Sequence, residues 1–560
     1  LEAARLKLNK LKTVDYEAVM KLKLEFLRKI FPSQKAATFR TKEYKKFFAE
    51  NAHWLTPYAT FCVLRDKFGT ADFGKWPEHS KFDAQKIAAL VKGNNDIAFH
   101  YFIQFHLHTQ LKEATAHVRQ CGLVVKGDIA IGVFRHGADA WQAPELYHME
   151  MQAGAPPDPF AAKGQNWGFP TYNWSRMAAD GFTWWKRRFA QMAHYFDAFR
   201  IDHILGFFRI WSTPANAVEA ILGYFVPALP VEQFEFAARG IWFDHTRLTK
   251  PFITDGGLRE IFGNETDFVR REFLQPTGDD RWQLKPKFAT QRQVENHFAA
   301  LEQSERNAKL KVGLFDLISN VILLDVGGKF HFRIGMEQTA SFRNFAPDQQ
   351  AKLRDLYVDY FFRRQDDFWM REAMQKLPAL KRVTNMLVCG EDLGMVPACV
   401  PEVMRDLGFL SLEIQRMPKN PAQEFSRPAN APYLSVVTPS THDMSTIRGW
   451  WTEDRALTQK FFNRELGLSG DAPIEASPEI VEAVVRQHLA SPAMWSVFQL
   501  QDLLGIDGKI RRVDVDAERI NVPAIVQYYW RYRLHLTLEK LSKEKKFNAK
   551  LSQLLRQNGR

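Results

Sequence analysis

Tyr195-Phe196-Asp197-Ala198-Phe199-Arg200-Ile201-Asp202-His203 runs directly into Ile204-Leu205-Gly206-Phe207-Phe208-Arg209-Ile210-Trp211. This stretch reads as a strand ending in a loop. Side chains alternate along a strand, so Ala198, Arg200 and Asp202 share one face, and Phe199 and Ile201 share the other. Arg200 beside Asp202 favours the ionised carboxylate and predicts a lowered pKa. A carboxylate held ionised at the mouth of a sheet can act as a nucleophile. The competing reading is a structural ion pair at a strand end, because such networks also perturb pKa values.

Working outward, Gly122-Leu123-Val124-Val125-Lys126-Gly127-Asp128-Ile129 reads as the first clear strand, centred on Leu123–Val125. Similar apolar runs recur at Met386–Cys389 and Leu434–Val437. Continuous apolar runs suit strands covered on both faces. Helical stretches separate them, so the pattern predicts an α/β fold, either a (β/α) barrel or a doubly wound sheet. No GxGxxG follows a strand, so the dinucleotide-binding version lacks its mark. Gly69-Thr70-Ala71-Asp72-Phe73-Gly74-Lys75-Trp76 misses a phosphate-binding loop, since Trp76 stands where Ser or Thr should hold magnesium.

The 560 residues exceed one ordinary domain, though a barrel with insertions accommodates most of them. Hydrophobic content is 46% and charged content 25%, as in globular proteins. No apolar run is long enough to span a bilayer. Cys62, Cys121, Cys389 and Cys399 fit neither a zinc nor a redox spacing, and that usage suits a reducing, cytoplasmic compartment. The net charge of +12 brings a nucleic-acid partner into consideration. Residues 1–50 and 531–560 each carry +7, which leaves the middle at −2. Basic ends around a near-neutral body argue for solvated helix faces rather than a nucleic-acid groove.

Three apolar strands each end in a carboxylate: Asp202, then Glu391 in Val388-Cys389-Gly390-Glu391-Asp392, then Asp443 in Thr438-Pro439-Ser440-Thr441-His442-Asp443. Strand C-termini of a barrel converge on one mouth. Each motif alone suits a cap or a loop hydrogen-bond cluster; the three in this order weaken that reading. Glu391 follows a glycine and an apolar strand, so partial burial predicts a raised pKa.

Phe199-Arg200-Ile201-Asp202-His203 with Gly206-Phe207 resembles the nucleophile strand of the amylomaltases (4-alpha-glucanotransferases), and the run through Trp211 resembles their maltose-using, disproportionating-enzyme branch. Further matches are Gly137-Ala138-Asp139-Ala140-Trp141, the loop Gly154-Ala155-Pro156-Pro157-Asp158-Pro159-Phe160, the run Gly164-Gln165-Asn166-Trp167-Gly168-Phe169-Pro170-Thr171-Tyr172-Asn173-Trp174, the helical Asn51–Ala59, and a closing segment at Asn521-Val522-Pro523-Ala524 and Tyr529–Arg533. The resemblance implies a (β/α)8 TIM-type barrel with helical and irregular insertions. It implies a retaining transfer of glucosyl or glucan units between α-1,4-linked glucans such as maltose and maltodextrin. Such chemistry uses two carboxyl groups, about 5–6 Å apart, one ionised and one protonated.

By the same resemblance Asp202 is the nucleophile, Glu391 the general acid/base and Asp443 the transition-state stabiliser. Arg200, His203, His442, Asp139, Trp141, Asp158, Gln165, Asn166 and Trp167 bind substrate. No metal or organic cofactor is implied, and the partners are glucans and sugar acceptors. The expected organisation is a helical insertion over 1–110, a first part of the barrel over 111–229, an insertion over 230–340 and a second part over 341–560. A truncated, inactive glucan-binding protein is the alternative reading. The family's opening barrel strands have no counterpart here, and the chain begins at Leu1 inside a helical pattern, so fewer than eight strands are expected. Ser212 stands where the family usually has Glu, a change expected to loosen the loop behind the nucleophile.

Overall fold

The computed structural model describes residues 2–158, 161–278, 280–523, 525 and 528–560. Pro159, Phe160 and Ala524, named above, lie outside the described residues.

Six short parallel strands form the frame of the site: β1 (Lys126–Ile129), β2 (Ala198–Ile201), β3 (Leu387–Gly390), β4 (Ser411–Ile414), β5 (Ser435–Thr438) and β6 (Trp495–Ser496). β1 and β3 flank β2, and β4 and β6 flank β5. A parallel bridge between Cys389 and Leu410 joins the two groups, so the spatial order follows the chain from β1 to β6. Helices precede most of these strands, among them Thr183–Ala193 before β2 and Asp366–Lys381 before β3, while β4 and β5 are joined through a 3-10 turn at Pro428–Asn430. This is the arrangement of a (β/α) barrel. Among the described residues the series is an open arc of six strands, consistent with the expectation of fewer than eight.

Burial on both faces explains the apolar strands: Phe199 and Ile201 are buried, and Phe199 packs its ring on Phe189 of the helix before it. The first strand starts later than expected. Leu123 and Val124 are 61% and 64% exposed, and pairing with β2 begins at Lys126 opposite Ala198. The cause is Asp197, whose carboxylate accepts the Val125 N–H at 2.9 Å and so ends the ladder there.

The helices Tyr16–Arg40, Lys42–Phe68 and Asn95–Gln120 form a bundle around Tyr44, Leu55, Ile97 and Tyr101. The third crosses residue 110, so the helical region extends past the expected boundary. The stretch 230–340 is more ordered than its composition suggested. Short helices bury Leu258, Phe262, Val269, Phe273 and Leu314 in a core of their own, beside an antiparallel sheet of Ile253–Thr254, Leu274–Gly278 and Arg281–Leu284.

Ser212 also departs from expectation. It lies in the strand Ile210–Pro214, at the centre of a four-stranded antiparallel sheet, fully buried and paired with Ala153 and Tyr224. A strand paired on both sides is held by its ladder, so the segment is not loosened.

Candidate active site

The ladder of β1, β2 and β3 brings the central residues together. Asp128 is in register with Arg200, and Gly390 with Ile201. The pairing continues past the strand ends: Asp202 N–H donates to Ile129 O at 3.1 Å, and Glu391 N–H donates to Ile201 O at 3.0 Å. Asp202 and Glu391 therefore stand side by side on adjacent strands, about 4.8 Å being the usual strand spacing.

His203 then turns the chain. Its φ of 45° is left-handed, uncommon for a residue with a side chain and typical of functional turns. The turn aims the His203 N–H at Glu391 Oε2, 2.8 Å away, and the Ile204 N–H at Glu391 O, 3.1 Å away. Gly390 permits this contact, because a Cβ there would lie 2.8 Å from Ile204 Cδ1. Arg200 completes the cluster: Nη1 donates to Asp202 Oδ1 at 2.9 Å, and Nη2 lies 3.9 Å from Glu391 Oε2.

Electrostatics separate the groups. Burial pushes Glu391 up to about 8; Arg200 opposes that rise, Asp202 adds to it, and the His203 N–H opposes it. Asp202 is raised rather than lowered, which corrects the expectation above. Burial is the larger influence there, Arg200 opposes it, and Asp128 adds to it. Burial, with Arg209 and Arg200 nearby, drives His203 down to about 3, so its imidazole is neutral. Asp392, next to Glu391, is buried and raised to about 6; its carboxylate accepts the Leu412 N–H at 2.9 Å and Lys419 Nζ at 2.6 Å, tying β3 to β4.

Asp443 follows β5 at the same end of the arc, in a cluster of its own. His442 Nε2 lies 3.2 Å from Asp443 Oδ2, Asn521 Nδ2 donates to Asp443 Oδ1 at 2.7 Å, and the His442 ring meets Trp530 at 5.1 Å. The loop is fastened at both feet. One carboxylate, that of buried Asp502, accepts from Ser440 Oγ and from the Ile447 N–H, while Arg416 donates to Pro439 O at 2.9 Å and Ser445 O at 2.6 Å.

The remaining expected residues divide. Trp167 joins the centre, its ring 5.0 Å from that of His203 and its indole N–H on Gln165 Oε1 at 3.1 Å. Asn166 ties its loop together, donating to Val218 O and accepting from the Gly168 N–H. Gln165 and Asn166 pair with Ala155 and Gly154, where a Cβ on Gly154 would lie 1.9 Å from Gln165 O. Asp158 accepts from the Ala161 N–H at 2.7 Å. Asp139 accepts from the Trp184 indole at 3.1 Å.

Trp141 is a core residue, not a sugar platform. It is 1% exposed, wedged among Phe61, Trp76 and Phe82, and its indole donates to His79 O. Aromatic core truncations of this kind cost about 3–5 kcal/mol. Trp141→Ala should therefore lower the thermal unfolding midpoint sharply while leaving the KM for glucan unchanged in the folded fraction. A raised KM with unchanged stability would restore the binding role.

Sequence reasoning passed over Asp128, Arg416 and Asp502. Asp128 had a signal, an acidic side chain near a strand end immediately before an isoleucine. Arg416 and Asp502 had none, because their partners, the Pro439 and Ser445 carbonyls, the Ser440 hydroxyl and the Ile447 N–H, lie far away in the chain.

The model of a family described as 4-alpha-glucanotransferase matches residues 1–538. A rice (Oryza sativa subsp. japonica) protein named 4-alpha-glucanotransferase DPE2 is 41% identical over 98% of this chain, and the chain spans 59% of that protein's length. A 4-alpha-glucanotransferase of Chlamydia pneumoniae is 23% identical over 97% of the chain and 77% of its own. Among solved structures, the amylomaltase from Streptococcus agalactiae in complex with acarbose superimposes with a TM-score of 0.60 at 18% identity, over 98% of this chain and 81% of that one. That likeness is one of fold.

Proposed function

Because the chain belongs to the 4-alpha-glucanotransferase family, we propose that it transfers glucosyl or glucan units between α-1,4-linked glucans with retention of configuration, and that maltose and maltodextrins are among its donors. The observation that carries this reading is the pairing of Asp202 and Glu391 on adjacent strands around Arg200, where burial pushes Glu391 up to about 8 and so favours its protonated form at neutral pH.

In the proposed first step, ionised Asp202, hydrogen-bonded to Arg200, attacks the anomeric carbon. The carbon–oxygen bond to the leaving sugar breaks as the Glu391 proton passes to that oxygen. In the second step Glu391, now a carboxylate, takes the proton of an acceptor hydroxyl, and that oxygen displaces Asp202 from the anomeric carbon. His203 stays neutral, so it can hold sugar hydroxyls without adding charge. Trp167 offers an aromatic face beside it, suited to the apolar face of a glucose ring. Asp443 and His442 are assigned to the developing positive charge and to hydroxyls of the attacked sugar. Asp139, Asp158, Gln165 and Asn166 belong to the surrounding substrate loops.

No helix among the described residues is long and apolar enough to cross a membrane. The four free cysteines and the near-neutral middle of the chain support a cytoplasmic protein that meets glucans rather than nucleic acid.

The experiment is incubation with maltotriose alone, then with maltose plus a long glucan acceptor. A ladder of longer and shorter oligosaccharides with little net reducing-end gain is expected. Free glucose released in step with reducing ends would indicate hydrolysis, and no change would refute the activity.

A further inference from the structure

The Arg200 guanidinium serves a third carboxylate. Nη1 lies 2.9 Å from Asp128 Oδ2 and 3.1 Å from Asp128 Oδ1, as well as 2.9 Å from Asp202 Oδ1. A guanidinium nitrogen of this kind carries two hydrogens. One is shared by the two Asp128 oxygens and the other goes to Asp202, so Nη1 is saturated. Nη2 is thereby left facing Glu391, at 3.9 Å. The register explains the arrangement: Asp128 on β1 is directly opposite Arg200 on β2, while Asp202 is two residues further along the same face.

The geometry points to Asp128 as a positioning residue for the reaction: it holds the Arg200 fork between β1 and β2, so that one arm meets Asp202 and the other faces Glu391. The proposal rests on the reading of Asp202 and Glu391 given above. Asp128 reaches neither reacting atom in this account and acts through Arg200. Without it, the planar side chain is free to rotate fully onto Asp202 or out toward solvent. The charged groups facing Asp202 are Asp128 from β1, Arg200 from β2 and Glu391 from β3, with His203 neutral beside them. Removing the Asp128 charge leaves Arg200 to Asp202 and Glu391 alone, which favours ionised Asp202.

Asp128 is half exposed, with 52% of its side chain accessible, so substitutions there are compatible with folding. Three variants separate charge from geometry. Asp128→Ala loses both hydrogen bond and charge; loss of one charge-assisted bond is expected to lower kcat about tenfold with KM little changed. Asp128→Asn keeps an acceptor oxygen, so kcat stays near wild type, but the acid limb of the kcat/KM–pH profile moves to lower pH. Asp128→Glu restores both rate and limb. A wild-type kcat and an unmoved acid limb in Asp128→Ala would overturn the proposal. So would a fall in kcat that Asp128→Glu does not restore. Asp202→Asn is assayed alongside. If it stays active, the reading of the site itself fails; if it is inactive while Asp128→Ala is silent, only the role of Asp128 fails.

Discussion

Asp202→Asn should reduce transfer from maltodextrin by about ten-thousandfold or more, the scale on which loss of an enzyme nucleophile is felt. The amide keeps the shape of the side chain and can still accept from Arg200 Nη1, so the cluster stays assembled. What is lost is the negative charge that makes the side-chain oxygen nucleophilic enough to bond the anomeric carbon. Folding should be nearly unaffected. The native carboxyl is raised by burial, so its neutral replacement removes a charge whose desolvation the fold had to offset. The check is transfer rate and thermal midpoint measured on one preparation. Wild-type turnover would make Asp202 a structural residue, and a collapsed midpoint would make the rate uninterpretable as chemistry.

Glu391→Gln should have an effect of similar size on glucans and a different signature. The amide cannot protonate the departing sugar oxygen, so transfer from maltotriose is lost. A donor whose leaving group needs no proton, α-maltosyl fluoride, should still glycosylate Asp202. The same substitution has a predicted effect on stability. The folded pKa of about 8 lies above the ordinary 4.5, so between those values the native state holds a proton that the unfolded chain has released. Wild-type stability therefore falls as pH rises through that window, by up to a few kcal/mol. Glu391→Gln should be the more stable protein at pH 8–9, and the difference should vanish below about 4.5. Denaturant titrations at pH 4 and pH 8.5 read this directly. Parallel curves for the two proteins at both pH values would show that Glu391 is not held protonated.

How far the site can be read from sequence depends on how local its determinants are. Arg200, Asp202 and His203 sit on one strand end, and their alternation alone places Arg200 and Asp202 on one face. Glu391 follows a glycine on a second apolar strand, and the structure shows why that glycine is there: Ile204 fills the space. Burial was visible for Glu391 but misjudged for Asp202. There the adjacent Arg200 is plain in the sequence, whereas Asp128, which competes for the same guanidinium nitrogen, comes from another strand. Trp141 was misread for a related reason. A tryptophan beside Gly137 and Asp139 looks like a binding platform until Phe61, Trp76 and Phe82 arrive from a distant helix and loop to bury it.

The fold was legible where the chain alternates apolar strands with helices, and less so at the edges. Leu123-Val124-Val125 has the composition of a strand, but a strand also needs a partner, and β2 begins only at Ala198. Ser212 shows the converse. Serine in place of the family's usual glutamate suggested a loosened loop, yet neighbours on both sides make it the middle of a sheet.

In the proposed reaction Asp202 forms a covalent bond to the sugar that is transferred. Glu391→Gln treated with α-maltosyl fluoride, quenched in acid and examined by peptide mass spectrometry tests it directly. Without the carboxylate of Glu391 to deprotonate an acceptor, the second step stalls and the intermediate accumulates. One maltosyl mass increment is expected, on the peptide bearing Asp202 and assigned by fragmentation to that side chain. An increment on another carboxylate, or release of product with inverted configuration and no adduct, would contradict it.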